Sequence, residues 1–184
     1  MLYYTGIGSR KTPRDILEQM NEIAMLLADR NWILRSGGAP GADTAFESGC
    51  SVVKGKKEIF LPWKNFNNNN SNLYNVSQTA EAVSCKIWNE TFPDSWKHIR
   101  RPVQLLMSRN VHQILGEKLK EPSSFVICWT PDGVETQQKR SGKTGGTGQA
   151  IALANNIGIP VFNLFNAPAL EKLFKFIEHL TQGS

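Results

Sequence analysis

Three glycine-rich turns, each leading into a helical segment, constrain this chain more than any other feature. They are Gly6-Ile7-Gly8-Ser9-Arg10, Ser36-Gly37-Gly38-Ala39-Pro40-Gly41-Ala42-Asp43 and Thr144-Gly145-Gly146-Thr147-Gly148. Leu2–Ile7 reads as a strand that passes through the first turn and Pro13 into a helix over Asp15–Asp29, where Ile16, Leu17, Met20, Ile23, Ala24 and Leu27 recur at three- and four-residue steps. Trp32–Leu34 gives a second strand, and the second turn leads into a helix from Ala42 or Asp43 to about Ser48. Lys57–Leu61 is a third strand, stopped by Pro62 and Trp63. Strands that alternate with helices predict βαβ units and a parallel sheet.

The polar run Asn65–Asn75 reads as an exposed loop, followed by helices over about Ser77–Trp88 and Pro102–Leu119. Ser124–Trp129 is nearly all apolar, as a strand covered on both faces requires. Thr130–Thr144 is a polar loop over the sheet edge; a helix at Gln149–Asn156, a fifth strand at Ile159–Leu164 and a closing helix at Ala167–Leu180 complete the chain. The expected fold is α/β: a single Rossmann-like domain over residues 1–184, with a parallel sheet of at least five strands and a helical insertion at about 65–121. No apolar run approaches the roughly 20 residues that span a bilayer, and no basic-then-apolar leader opens the chain. Cys50, Cys85 and Cys128 form no CxxC pair and have no histidine at ligand spacing. These features lead us to expect a cytoplasmic protein with no membrane contact, no metal and no cofactor.

In an open parallel sheet, ligands bind beyond the carboxyl ends of the strands. Glycine there admits close backbone approach, and the free amides of a helix's first turn favour an anion by about 0.3–1 kcal/mol, or up to about 2 when partly buried. The candidate ligand-binding residues are Gly8, Ser9 and Arg10; Ser36, Gly37, Gly38, Ala39, Gly41, Ala42 and Asp43; and Thr144, Gly145, Gly146 and Thr147. Tight turning alone accounts for any one of these loops. Three at equivalent strand ends point to a phosphate. The usual fingerprints are not met. Ser141-Gly142-Lys143-Thr144 has Gln137 where a P-loop has glycine, the second turn does not read GxGxxG, and Glu58 stands at the start of its strand. An ordinary ATPase and an ordinary dehydrogenase are both disfavoured.

Asp43 has two readings: a helix cap, which is the plainer one, and an acceptor for ribose or base. Trp63 and Trp129 end strands and are expected on the ligand side, where stacking a base contributes about 1–3 kcal/mol; core packing is the equal alternative. Trp32, Trp88 and Trp96 are assigned to the core. Arg109-Asn110 is a polar pair in an amphipathic helix, either on its hydrated face or reaching the crevice.

These motifs, with Ala45, Ala152 and the strand Ile159-Pro160-Val161-Phe162, resemble the SLOG superfamily, a Rossmann-like group. It includes DNA-processing protein A recombination mediators, Lonely Guy phosphoribohydrolases and domains that bind nucleotide-derived signals. The likeness covers the framework from Leu2 to Leu164, apart from about Asn65–Glu121. Lonely Guy enzymes read PGGxGTxxE at the last glycine loop. Here Gln149, Ala150 and Ile151 stand where that motif has threonine, an intervening residue and the catalytic glutamate. Glu47, one turn beyond Asp43, is the nearest substitute, with a plainer role on a solvated face or in an intrahelical pair. The resemblance without the glutamate implies non-catalytic binding of a nucleotide-derived small molecule, ADP-ribose-like or cyclic, for sensing or for sequestration of the phage anti-defence type. It also implies self-association into a homo-oligomer. Single-stranded DNA binding is the alternative, and nucleoside monophosphate hydrolysis the third reading. The net charge is +5. Trp96–Gly145 carries all of it, with nine Lys or Arg against four Asp or Glu. This predicts a basic segment beside the crevice, suited to a compact phosphorylated ligand at least as well as to a nucleic-acid track.

Overall fold

A computed structural model describes residues 1–182. Its elements are β1 (Tyr3–Gly6), α1 (Arg14–Asp29), β2 (Ile33–Ser36), α2 (Ala42–Val52), β3 (Lys57–Ile59), α3 (Gln78–Thr91), α4 (Arg101–Leu115), β4 (Val126–Cys128), α5 (Thr147–Asn156), β5 (Val161–Asn163) and α6 (Ala169–Gln182). The strands form one parallel sheet in the order β3-β2-β1-β4-β5, a Rossmann-like α/β domain. The order reverses between β1 and β4. Loops from their carboxyl ends diverge there, which opens a crevice.

Period-two alternation divides the strand side chains between two cores. Tyr4, Leu34 and Ile127 face one side, where Met20, Ile23, Ala24 and Leu27 of α1, Phe46 of α2 and Leu173 and Ile177 of α6 cover them. Val126 and Cys128 face the other side, against Ala80 and Ile87 of α3, Val111 and Ile114 of α4 and Ala150–Ala154 of α5. The 65–121 segment, expected as a helical insertion, supplies α3 and α4, and α4 is also the crossover from β3 to β4.

Two segments differ from the expectation. Ser36, read as part of the glycine turn, lies within β2 together with Arg35. Arg35 is fully buried, with its guanidinium 3.7 Å from the centre of the Tyr3 ring, 2.7 Å from Glu58 and hydrogen-bonded to the Glu121 carbonyl. A charged residue therefore continues the strand, because the stacking and the acceptors compensate its burial. The asparagine-rich loop is also less free than its composition suggests. Asn65, Asn67 and Asn68 take left-handed backbone conformations that asparagine tolerates. Phe66 is buried, Asn67 donates to the Gly38 carbonyl and Ser71 to that of Ile59, so the loop covers the exposed edge of β3.

Phe125, just before β4, has no exposed surface and packs against the rings of Trp32 at 4.9 Å, Tyr4 at 5.9 Å, Phe176 at 6.0 Å and Phe162 at 6.3 Å. Phe125→Ala is expected to lower stability by about 3–5 kcal/mol in urea denaturation, the cost of lost transfer energy plus a cavity that this aromatic cluster cannot collapse.

Candidate functional site

The first loop is a compact turn on the end of β1. The Ser9 amide donates to the Trp129 carbonyl, Thr12 donates to the Ser9 carbonyl at 2.7 Å, and the Lys11 amide donates to Ser9 Oγ. This leaves Arg10 and Lys11 exposed at the rim of the crevice. The second loop is sewn to β1 by Ser36, whose hydroxyl donates to the Gly6 carbonyl at 2.7 Å.

Gly37 matters for what replaces its side chain. A Cβ built there would lie 1.1 Å from Arg109 Nη1. The guanidinium thus passes from α4 over the sheet edge, through the space a side chain would fill, and donates to Asp43 Oδ2 on α2 at 3.4 Å and to the Phe60 carbonyl at 3.3 Å. Both partners are buried, Arg109 at 5% and Asp43 at 4% exposure. Burial raises the Asp43 carboxyl above the usual range, opposed by Arg109 and by the amides of Ala39 and Gly8. Burial likewise lowers Arg109, opposed by Asp43.

α4 forms one wall of the crevice. Val103, Leu106, Met107 and Asn110 recur at helical spacing along it, with Arg109 and Gln113 one turn apart at its base. The third loop closes the opposite side. Thr144 and Ser141 donate to Asp132 Oδ2 at 2.6 and 2.9 Å, and Asn110 donates to the Gly146 carbonyl at 3.0 Å. Burial acts to raise the Asp132 carboxyl, but hydroxyls of Thr144, Thr130 and Ser141 more than offset it and hold the group below the usual range. The cavity between these walls has a volume of about 690 Å³ and is open at its rim.

Of the sequence candidates, Gly8, Ser9, Arg10, Ala39, Asp43, Arg109, Asn110, Thr144, Gly145, Gly146 and Thr147 line this cavity. Ser36, Gly37, Gly38, Gly41 and Ala42 are not part of the lining and shape the loop beneath it. Gly41 has a positive φ of 90° and is itself the N-cap of α2, so Asp43 is not the cap; it sits one position into the first turn past Ala42 and binds Arg109. The hydrated-face reading of Arg109-Asn110 also fails, since both are buried. Trp129 belongs to the core and packs on Phe165, while Trp63 sets its edge on Phe66; neither lines the cavity. Trp32 is buried as expected, whereas Trp88 and Trp96 form a half-buried cluster with Phe92.

Glu47 engages Lys57 and Asn69, and Ile151 is fully buried in the core. The lining residues that sequence reasoning missed include Lys11, Gly142, Lys143, Gln113 and the apolar wall of α4. A signal existed for Gln113: it stands four residues after Arg109 in an otherwise apolar stripe. Among the described residues no helix is long and apolar enough to cross a membrane, and no group of three or more His, Cys, Asp or Glu is placed to hold a metal ion. No family model, curated protein or solved structure matches the chain.

Arg109→Met is expected to cost about 3–5 kcal/mol in urea denaturation, because it leaves the Asp43 carboxylate buried without its cation. Adding Asp43→Asn should recover most of that loss. In the single variant, the folded pKa of Asp43 lies above its unfolded value of about 3.9, so its penalty is absent in acid, grows as pH rises past the unfolded value and levels off above the folded one.

Proposed function

We propose that the cavity binds a nucleotide or nucleotide-derived signal molecule and holds it without cleaving it, for sensing or sequestration. The observation that carries this reading is the contrast between two kinds of glycine. At Gly8 and Gly37 the chain itself occupies the space that a Cβ would take. At Gly142, Gly145 and Gly146 a Cβ would meet nothing within 4 Å, although all three line the cavity. Gly146 has φ −63° and ψ −27°, which any residue adopts. Neither packing nor conformation calls for glycine at that position; close approach by a ligand does.

The surroundings favour a phosphate. Gly146 is the N-cap of α5 and has no side-chain cap, so the positive end of that helix faces the cavity while Arg10, Lys11 and Lys143 stand at the rim. Val103, Leu106 and Met107 provide an apolar wall for a base or sugar face. A crevice of this size with its tryptophans turned elsewhere supports a small ligand over a single-stranded DNA track, which needs aromatic platforms along a groove. Burial of Ile151 at the position of the Lonely Guy glutamate supports binding over hydrolysis. This reading agrees with the SLOG resemblance.

Mass spectrometry of small molecules released by heating the purified protein, followed by calorimetry with nucleoside monophosphates, ADP-ribose and cyclic nucleotides, tests the proposal. A recovered nucleotide, or binding to members of the panel, is the expected result. A ligand-free protein that binds none of them would falsify it, and recovery of cleaved products would return the hydrolase reading. Gly146→Ala should cost the fold about 1 kcal/mol or less and weaken ligand binding tenfold or more. Fluorescence anisotropy with an oligonucleotide at low salt should show no binding.

A further inference from the structure

Gln113 is 1% exposed, and neither Oε1 nor Nε2 of its carboxamide has a hydrogen-bond partner among the described residues. Its backbone is engaged, since the carbonyl accepts from Thr5 Oγ1 at 2.7 Å and anchors α4 to β1. The side chain makes no use of that anchoring. It lies against Gly37 beside Arg109, at the inner end of the cavity. A buried amide left unsatisfied at both atoms destabilises the empty protein, and a leucine of similar volume would fill the space without that loss. Its buried polar neighbours Arg109, Asn110 and His112 all have side-chain hydrogen bonds, to Asp43 and Phe60, to Gly146, and to Ser77, and the Gln113 carboxamide has none.

The charges around the cavity are graded. Arg10, Lys11 and Lys143 are exposed at the rim. At the inner end Arg109 is neutralised by Asp43 and bound through Nη1 to the Phe60 carbonyl, while its Nε has no partner. A phosphate is therefore favoured at the rim and disfavoured within, where the Asp43 carboxylate would face it. What the inner end offers is a neutral carboxamide, one donor pair and one acceptor, with no protein group to match them.

We propose that Gln113 reads the inward end of the ligand, and that this end carries a hydrogen-bond acceptor beside a donor, as on the edge of a nucleobase or a carboxamide, while the phosphate remains at the rim. The assignment rests on the nucleotide reading above and adds to it the orientation and the recognised group. Discrimination follows from the same physics: a ligand without that edge leaves the carboxamide as unpaired as it is in the empty protein.

The test is calorimetry of the full chain and of Gln113→Leu with AMP, GMP, CMP, UMP, ADP-ribose and ribose 5-phosphate, together with thermal unfolding of both proteins without ligand. In the wild type at least one base-bearing probe should bind tenfold or more tightly than ribose 5-phosphate. Gln113→Leu should erase that preference, leave ribose 5-phosphate affinity unchanged, and melt at the same or a higher temperature. Three results would overturn the proposal: a preference that survives in the variant, an equal loss for all probes, or a lowered melting temperature, which would mark Gln113 as a structural residue or one satisfied by an internal water. If none of the probes binds the wild type, the nucleotide reading fails and this assignment fails with it.

Discussion

The buried pair between Arg109 and Asp43 joins the two faces of the sheet across its carboxyl edge. α4 lies on one face and α2 on the other, and the guanidinium reaches between them only because residue 37 has no side chain. Two charges taken out of water cost more than a single 3.4 Å contact returns, so the pair is weak evidence for stability. Its value lies in position. With Arg109 also holding the Phe60 carbonyl, the ends of β2 and β3, the start of α2 and the middle of α4 are set relative to one another at the inner end of the cavity.

Both the parallel sheet and the place of the crevice were legible from the glycine turns, because a strand, a turn and an amphipathic helix in succession leave few topologies. The contribution of α4 was not. Periodicity identifies its apolar stripe, but Arg109, Asn110 and Gln113 belong to that buried side, and only the open edge of the sheet explains how polar residues are accommodated there. Trp129 failed for a related reason. Standing at the end of a strand does not decide the face to which a side chain turns, and a shift of one residue moves it from crevice to core. Asp43 was misread because aspartate near a helix start normally caps, whereas here the left-handed Gly41 already occupies that position.

The basic middle segment loses its apparent meaning once folded. Arg109 is paired with Asp43 and Arg101 with Glu81, while Lys118 and Lys120 are not part of the cavity lining. Cations that do reach the rim come from two separate loops: Arg10 and Lys11 after β1, and Lys143 before α5. Linear charge counting added residues that never share a surface, and missed a cluster that the topology assembles from 130 residues apart in the chain, a span of the order of a whole small domain. Net charge speaks for solubility and encounter; the gradient from rim to inner end speaks for how a bound molecule lies.

Rigidity is distributed along the same axis. The inner end is built of buried residues on α2 and α4, tied by the ion pair and by the Thr5 bond to α4. The rim loop is different. It is held by Asp132's bonds to Ser141 and Thr144, by the Asn110 bond to Gly146 and by bonds within the turn, but the space beside Gly142, Gly145 and Gly146 is open, so less packing resists its displacement. On the proposed reading, a ligand is admitted past a loosely held edge and recognised against a better-packed base, where the unpartnered carboxamide of Gln113 lies. Unpartnered polar atoms occur in one core as well, at Tyr4 Oη and Trp32 Nε1, but there aromatic packing on every side compensates them, whereas the Gln113 carboxamide borders the cavity.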